Sequence, residues 1–228
     1  MNQKEKKQIK IGVHSGVFHS DDVFVVALFK MLAKFLNVDI NIERITDVDV
    51  DNWDTECGDP FKGIVADIGG GRYDHHQFTF EFDDDGDIEE DTLKNVPCHY
   101  HPYAPIPKAA IGLIWSDFGT NLCSLWLHDK GLSYKPEDIK DMANDIEDSL
   151  IMGISAVDNG VLKSNRNAYF RNSVPFIQNV TSVINDFRPT WQQEDKNAMD
   201  EGFKKAVIFA EGFLDRTLKQ AASQFYEN

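Results

Sequence analysis

The sequence predicts an α/β protein with a doubly wound, mainly parallel sheet, flanking helices and a helical C-terminal half. In the first half, short strand-like segments alternate with a helical pattern, and the connections between them are short. In the second half, apolar residues recur every three or four positions over long stretches. Parallel sheets bind ligands beyond the carboxyl ends of their strands, so that edge is where functional residues are expected.

The first half contains four regular segments. Alternating apolar residues predict a strand over 9–13, and a helical pattern follows over 21–36. A second alternating segment, 38–42, suits a half-buried strand. The short apolar run 63–66 predicts a third strand, which ends at Asp67 before three consecutive glycines. Strand, helix, strand and strand in this order favour a parallel sheet.

The second half is predicted to be mostly helical over 109–127, 139–154 and 203–225, and its apolar stripes are expected to pack in the core. The acidic and proline-containing stretch 81–107 is expected to be a surface excursion. It includes His99 and His101, for which a structural role is favoured over a further metal cluster.

We expect an α/β domain over 1–160 and a helical extension over 161–228 that packs on it; a single continuous domain is left open. No secretory signal or membrane-length apolar run is visible in the sequence. The three cysteines are an odd number with no close pair, so a disulfide framework is not indicated. We therefore expect a cytoplasmic protein that does not bind membranes.

The net charge limits the classes of partner. The 228 residues include 23 Lys and Arg against 38 Asp and Glu, which gives a formal charge of −15. This balance argues against broad binding of duplex DNA through a basic face. It does not exclude a nucleotide that is held through divalent cations, because bound metals reverse the local charge.

Two windows, 14–22 and 66–77, hold four of the seven histidines together with four carboxylates. Mixed imidazole and carboxylate ligands suit Mn²⁺ or another first-row metal, whereas Mg²⁺ prefers oxygen ligands. Taken alone, a histidine at a strand end or an Asp pair before a helix is more often structural. Both windows at strand ends, with Asp158 after a helix, predict a centre of two divalent ions. Mn²⁺ is the favoured ion, and Mg²⁺ is the alternative.

The order of these motifs resembles the DHH phosphoesterase superfamily. Longer segments resemble one branch, the melanocyte proliferating gene (MYG) family of exonucleases. These segments are 12–22, Asp67-Ile68-Gly69-Gly70, Arg72-Tyr73-Asp74-His75-His76-Gln77, Ala156-Val157-Asp158-Asn159-Gly160 and Pro189-Thr190-Trp191. The resemblance covers nearly the whole chain and implies a DHH-type fold. It also implies a set of metal ligands: His14 and His19 for the first ion, Asp67 as the bridge, and Asp21, His75 and Asp158 for the second ion.

The resemblance implies further roles beside the metals. His76 would face the substrate phosphate as a donor or as a general acid, and Asp74 would orient the neighbouring histidine. Asp22 would either support a metal ligand or cap the helix. Arg72 would either contact a phosphate or form a surface ion pair.

The implied function is exonuclease-like, metal-dependent hydrolysis of a phosphodiester by an activated water. In the family, a C-terminal portion with a glycine-rich substrate-binding motif follows the long helix, whereas this sequence stops at Asn228. The expected substrate is therefore a nucleotide or a short single-stranded oligonucleotide rather than long RNA. Two alternatives stay open: hydrolysis of a phosphoanhydride such as pyrophosphate, and a non-catalytic module that binds a nucleotide or a protein. A homodimer is also left open.

Overall fold

A computed structural model of the chain describes residues 7–49, 52–83, 88–99, 105–161, 179–190 and 197–224. Its sheet has three parallel strands in the order β2-β1-β3, which are β1 (Gln8–His14), β2 (Asp39–Ile45) and β3 (Ile64–Ala66). Helices flank this sheet, and the remainder of the described chain is mostly helical. The predicted α/β class is confirmed.

The strand order explains why ligands would bind at one edge of the sheet. From β1 the chain moves to β2 on one side and then to β3 on the other, so the order reverses between β1 and β3. Val13 pairs with Ala66, which brings the residues after both strands, His14 and Asp67, to the same crevice. In open parallel sheets, such a reversal point is the usual place for a ligand.

Helix α1 (Ser20–Leu36) is the central packing element. It is buried along most of its length because apolar residues occur on nearly every side. The backbone N–H of His19 donates to Asp22 Oδ2 at 3.1 Å and caps the helix start, and Asn37 ends the helix in a left-handed conformation. Helix α1 packs on the sheet and on the two longest helices, α2 (Ala110–Asp129) and α6 (Ala198–Gln224).

A helical stretch between α2 and α6 leads back to the sheet edge. It consists of α3 (Pro136–Ile146), a π-helical segment (Glu147–Ile151) and α4 (Met152–Asp158), which follow one another without a break. The short helix α5 (Val180–Asn185) lies nearer the C-terminus and contacts both α1 and α4. The ends of α4 and α5 are therefore close to the start of α1.

The expected surface excursion over 81–107 is only partly exposed. Residues 81–83 are exposed, and a short 3₁₀ turn follows at Glu90–Leu93. Strands β4 (Cys98–His99) and β5 (Ile106–Pro107) then pair antiparallel and bury His99 and Ile106. The second part of this stretch thus belongs to the packed interior. No helix within the described ranges has both the length and the apolar character of a membrane span.

Candidate metal centre

Four side chains from four separate elements meet at the reversal point of the sheet. Asp21 comes from the first turn of α1, Asp67 follows β3, His75 begins a 3₁₀ turn (His75–Gln77), and Asp158 ends α4. One ligand atom from each lies within 4.8 Å of one from every other. Three carboxylates and an imidazole at this spacing are a donor set that suits a first-row divalent cation.

Asp67 is the carboxylate at the middle of this cluster. It is 6% exposed, its Oδ1 lies 3.0 Å from His75 Nε2, and its Oδ2 lies 3.5 Å from His14 Nδ1. Its φ of 64° is left-handed, a conformation that costs energy for any residue with a Cβ atom. Burial raises the pKa of Asp67 to about 6, and the carboxylates of Asp22 and Asp158 contribute to the rise.

Asp21 is fully buried and held by backbone. Its two oxygens accept hydrogen bonds from the N–H groups of Ala110 and Ile111, at 3.1 Å and 2.7 Å, where the N-terminus of α2 offers its positive dipole end. Burial, together with the charges of Asp158 and Asp67, nevertheless raises the pKa of Asp21 well above its usual range. Buried carboxylates this close are costly without a compensating cation, so these residues fit a metal centre.

His75 faces this cluster through Nε2, which lies 3.0 Å from Asp67 and 3.1 Å from Asp158. Burial alone would lower the pKa of His75, but its hydrogen bonds to these two carboxylates outweigh burial and raise it strongly. On its other side, Nδ1 donates to Asn159 Oδ1 at 3.1 Å, and the amide of Asn159 donates to Pro107 O at 2.9 Å. Metal-binding histidines are typically oriented in this way through the second ring nitrogen.

A second group, formed by His14, His19 and Asp22, adjoins the first. Asp22 is fully buried, its Oδ1 lies 3.1 Å from His14 Nδ1, and its Oδ2 caps α1. Asp22 therefore caps α1 and also contacts His14. The hydrogen bond to Asp22 raises the pKa of His14, whereas burial lowers that of His19. Since Asp67 contacts both His14 and His75, it joins the two groups.

His76 and Asp74 form a hydrogen-bonded pair beside this cluster. The His76 side chain is 64% exposed, and its Nδ1 donates to Asp74 Oδ1 at 2.9 Å. Asp74 also accepts the N–H groups of His76 at 3.0 Å and of Gly70 at 2.6 Å, the latter from a left-handed glycine with φ 69°. Burial opposes ionisation of Asp74, but these hydrogen bonds outweigh it and lower its pKa to about 2. The bond to Asp74 raises the pKa of His76.

Arg72 points to a different neighbour. Its Nε and Nη2 donate to Asp117 Oδ2 at 3.0 Å and 2.8 Å, and the hydroxyl of Tyr73 donates to the same oxygen at 2.6 Å. Of the two roles that the sequence left open, the structure shows the ion pair, and Arg72 does not line the cavity beside the metal cluster.

That cavity has a volume of about 310 Å³. Three of its lining residues, Thr181, Asn185 and Arg188, come from α5 and the turn after it, and the sequence reasoning missed them. The only signal was the neighbouring motif Pro189-Thr190-Trp191, of which Trp191 lies outside the described residues. The remaining lining residues are His14, His19, Asp67, His76, Val157 and Asp158.

His99 is structural in the described part of the chain, where no candidate metal group includes it. It is 1% exposed, its Nδ1 donates to Glu147 Oε1 at 2.8 Å, and its Nε2 accepts from the Ser155 hydroxyl at 2.9 Å. Burial lowers the pKa of His99, which keeps the ring neutral. His101 lies outside the described residues.

Comparison with known proteins identifies the family of this chain. Residues 10–228 match the MYG1 exonuclease model, described as an uncharacterised protein family (UPF0160). The chain is 27% identical over 218 residues to "MYG1 exonuclease" of Rattus norvegicus and 26% identical over 220 residues to that of Homo sapiens. These matches cover 91% of this chain but 49% and 50% of the relatives, so the chain spans about half their length. "MYG1 protein" of Dictyostelium discoideum is 26% identical over 91% of the chain and 56% of its own length. No solved structure gives a significant match.

Proposed function

Since the chain belongs to the MYG1 exonuclease family, we propose that it is a metal-dependent phosphodiester hydrolase that acts on nucleotides or short oligonucleotides. The observation that carries the proposal is the cluster of Asp21, Asp67, His75 and Asp158, in which three buried or nearly buried carboxylates and one imidazole converge. Such a cluster is unfavourable in a metal-free protein and favourable around divalent cations.

The residues divide between two ions in this proposal. His14 and His19 would hold one divalent ion, and Asp21, His75 and Asp158 would hold another. Asp67 would serve both ions, because it contacts histidines of both groups. Mn²⁺ fits this mixture of nitrogen and oxygen donors better than Mg²⁺ does. When bound, a pair of such ions binds phosphoryl oxygens and lowers the pKa of water to generate a nucleophile at neutral pH.

His76 supplies a proton in this proposal. Its Nδ1 is engaged by Asp74, which leaves Nε2 for a ligand in the cavity that His76 lines. The bond to Asp74 raises the pKa of His76, which favours the form of the ring that carries a second proton. His76 Nε2 then donates that proton to the leaving oxygen, while Asp74 stays ionised and fixes the ring.

Hydrolysis of a chromogenic phosphodiester, bis(4-nitrophenyl) phosphate, with Mn²⁺ is the test. We expect turnover by the parent protein and loss of most of it in His75→Ala, which removes a proposed metal ligand. His128→Gln is the matched control because His128 is an exposed histidine on α2. Absence of Mn²⁺-dependent turnover in folded parent protein would contradict the phosphodiester hydrolase and leave the two alternatives, a phosphoanhydride hydrolase and a non-catalytic module.

A panel of pyrophosphate, dinucleotides and single-stranded RNA then separates the two kinds of hydrolase. A phosphodiesterase acts on dinucleotides, whereas a phosphoanhydride hydrolase prefers pyrophosphate. Turnover of pyrophosphate alone would contradict the proposed substrate class.

A further inference from the structure

The cavity beside the metal cluster has a second wall that no metal ligand occupies. Thr181 and Asn185 lie on α5, and Arg188 follows in the next turn. Thr181 is tied to the start of α1 through a hydrogen bond of 2.7 Å between its hydroxyl and that of Ser20. The wall is therefore fixed to the same helix that carries Asp21 and Asp22.

Arg188 gives this wall its charge. Among the described residues that line the cavity, it is the sole arginine or lysine, and Asp67 and Asp158 line the same cavity. A guanidinium stays charged at every physiological pH, so its positive charge does not depend on metal loading. An anion that enters the cavity can thus contact a permanent cation in addition to residues of the metal cluster.

The guanidinium of Arg188 is held in place from one edge. Its Nε and Nη2 donate to the carbonyl oxygen of Phe18, at 2.8 Å for Nε, and the guanidinium lies 5.8 Å from the Phe18 ring centre. Its Nη1 makes no hydrogen bond within the described part of the chain. Phe18 directly precedes His19, so this contact sets the position of Arg188 relative to a proposed metal ligand.

Asn185 adds an unsatisfied polar atom to the same wall. Its Oδ1 is buried and has no hydrogen-bond partner among the described residues. Leaving a buried acceptor unpaired costs about 1–3 kcal/mol, which favours a site where a bound molecule supplies the partner. Asn185 and Arg188 are three positions apart and both line the cavity.

We propose that Arg188 binds the phosphate group of a nucleotide, while Asn185 Oδ1 accepts a hydrogen bond from a hydroxyl or amino group of the same nucleotide. Arg188 contacts a non-bridging phosphate oxygen through the donors that Phe18 leaves free. Arg72, the arginine singled out in the sequence, is already paired with Asp117 outside the cavity. This inference rests on the proposed phosphoester chemistry, but it concerns phosphate binding rather than turnover.

To test this proposal, calorimetry measures the affinity of the Mn²⁺-loaded protein for adenosine 5′-monophosphate. Arg188→Gln is expected to weaken binding at least about tenfold, because a charge-assisted hydrogen bond to phosphate is lost. Arg188→Lys is expected to keep part of the affinity, because lysine retains the positive charge but lacks the planar guanidinium. Asn185→Ala is expected to cause a smaller loss. Arg216→Gln, an exposed arginine on α6, is the matched control and should bind like the parent.

Mn²⁺ affinity and thermal unfolding are measured for the same variants. The proposal is supported if Arg188→Gln binds Mn²⁺ and unfolds like the parent yet loses affinity for the nucleotide. It is overturned if nucleotide affinity stays within twofold of the parent, or if Mn²⁺ and nucleotide affinities fall together, which would mark a purely structural contact to Phe18. If the parent protein binds no Mn²⁺, the proposed function fails instead.

Discussion

At the scale of single residues, Asp67 combines burial, a left-handed backbone and contacts to two histidines. A non-glycine residue with positive φ persists only where its surroundings hold it, and such strain is concentrated at functional sites. Its N–H donates to the carbonyl of Tyr73 at 3.0 Å, which fixes the backbone, and its oxygens point to His14 and His75. Asp67 thus connects the two groups of candidate metal ligands.

Asp67→Asn should weaken both metal positions together, because it removes the charge that the two cations share while keeping the shape of the side chain. We expect phosphodiester hydrolysis to fall at least about a hundredfold, which is about 2.7 kcal/mol of transition-state stabilisation. Steady-state kinetics and Mn²⁺ titration check this. Asp141→Asn, an exposed carboxylate on α3, is the control and should match the parent. Full activity in Asp67→Asn would rule out the bridging role.

Because the pKa of Asp67 is raised, the stabilisation of the folded protein by a bound metal also depends on pH. In the folded protein Asp67 holds a proton up to about pH 6, whereas the unfolded chain loses it near the ordinary value of about 3.9. The contribution of this group to metal-free stability is thus present below about pH 4 and lost as the pH rises through about 6. Metal competes with that proton, so its stabilising effect must grow over the same range.

We therefore expect Mn²⁺ to raise the melting temperature more at about pH 7.5 than at about pH 5. Thermal unfolding with and without Mn²⁺ at the two pH values measures this, and Asp141→Asn should show the same dependence as the parent. An equal rise in melting temperature at both pH values would mean that these carboxylates do not bind the metal.

At the scale of elements, His99 contacts two parts of the helical stretch that ends at Asp158. The ring connects Glu147 in the π-helical segment to Ser155 in α4, and Lys108 pairs with Glu147 at 3.0 Å. The backbone carbonyl of Ser155 in turn accepts the amide of Asn159 at 3.0 Å. This network positions the end of α4, from which Asp158 enters the cluster.

His99→Ala should therefore destabilise the fold by about 2–4 kcal/mol, because it removes two buried hydrogen bonds and leaves a cavity. Urea unfolding measures the change. His128→Ala removes an exposed histidine and is expected to change stability by less than about 0.5 kcal/mol. If the two variants unfold alike, the His99 network does not hold α4 in place.

The sequence predicts elements well where hydrophobic periodicity is clear. The predicted strand 9–13 is observed as Gln8–His14, and the predicted helix 21–36 as Ser20–Leu36. The π-helical segment was missed because apolar residues still recur at ordinary helical spacing across it. The burial of His99 was missed because proline-rich composition resembles an exposed loop, and its partners lie about 50 residues away.

The residues of the candidate site likewise fall into two groups, those that the sequence predicts and those that it does not. Its candidate metal ligands occur in dense local motifs and are therefore visible in the sequence. The roles of Asn159 and Arg188 depend on contacts with His75 and Phe18, which are distant along the chain, and no local pattern encodes them. For Arg72, the sequence could not decide between a phosphate and an ion pair because Asp117 is 45 residues away.

At the scale of the whole molecule, charge opposes the approach of long polyanions. The chain carries a formal charge of −15, and its cavity of about 310 Å³ contains one described guanidinium. Long single strands require a groove with basic residues that follow the backbone. Each phosphate that neither metal nor Arg188 neutralises is repelled by the surface, and added salt screens this repulsion.

We therefore expect kcat/KM to be highest for substrates of one to about five nucleotides and to fall for longer strands. The measurement is kcat/KM for a series of substrates from a dinucleotide to about 20 nucleotides, at low and moderate salt. The decline of kcat/KM with length should become weaker as the salt concentration rises, because screening relieves the repulsion. Rising efficiency with length that disappears in salt would instead reveal an attractive basic groove.

The number of metal ions per folded chain tests the proposed centre most directly. Dialysis against Mn²⁺ followed by metal analysis should give two ions per chain in the parent protein and a marked loss in Asp67→Asn, while Asp141→Asn retains two. A stoichiometry near zero, in parent protein shown by circular dichroism to be folded, would contradict the metal centre and the hydrolase proposed from it.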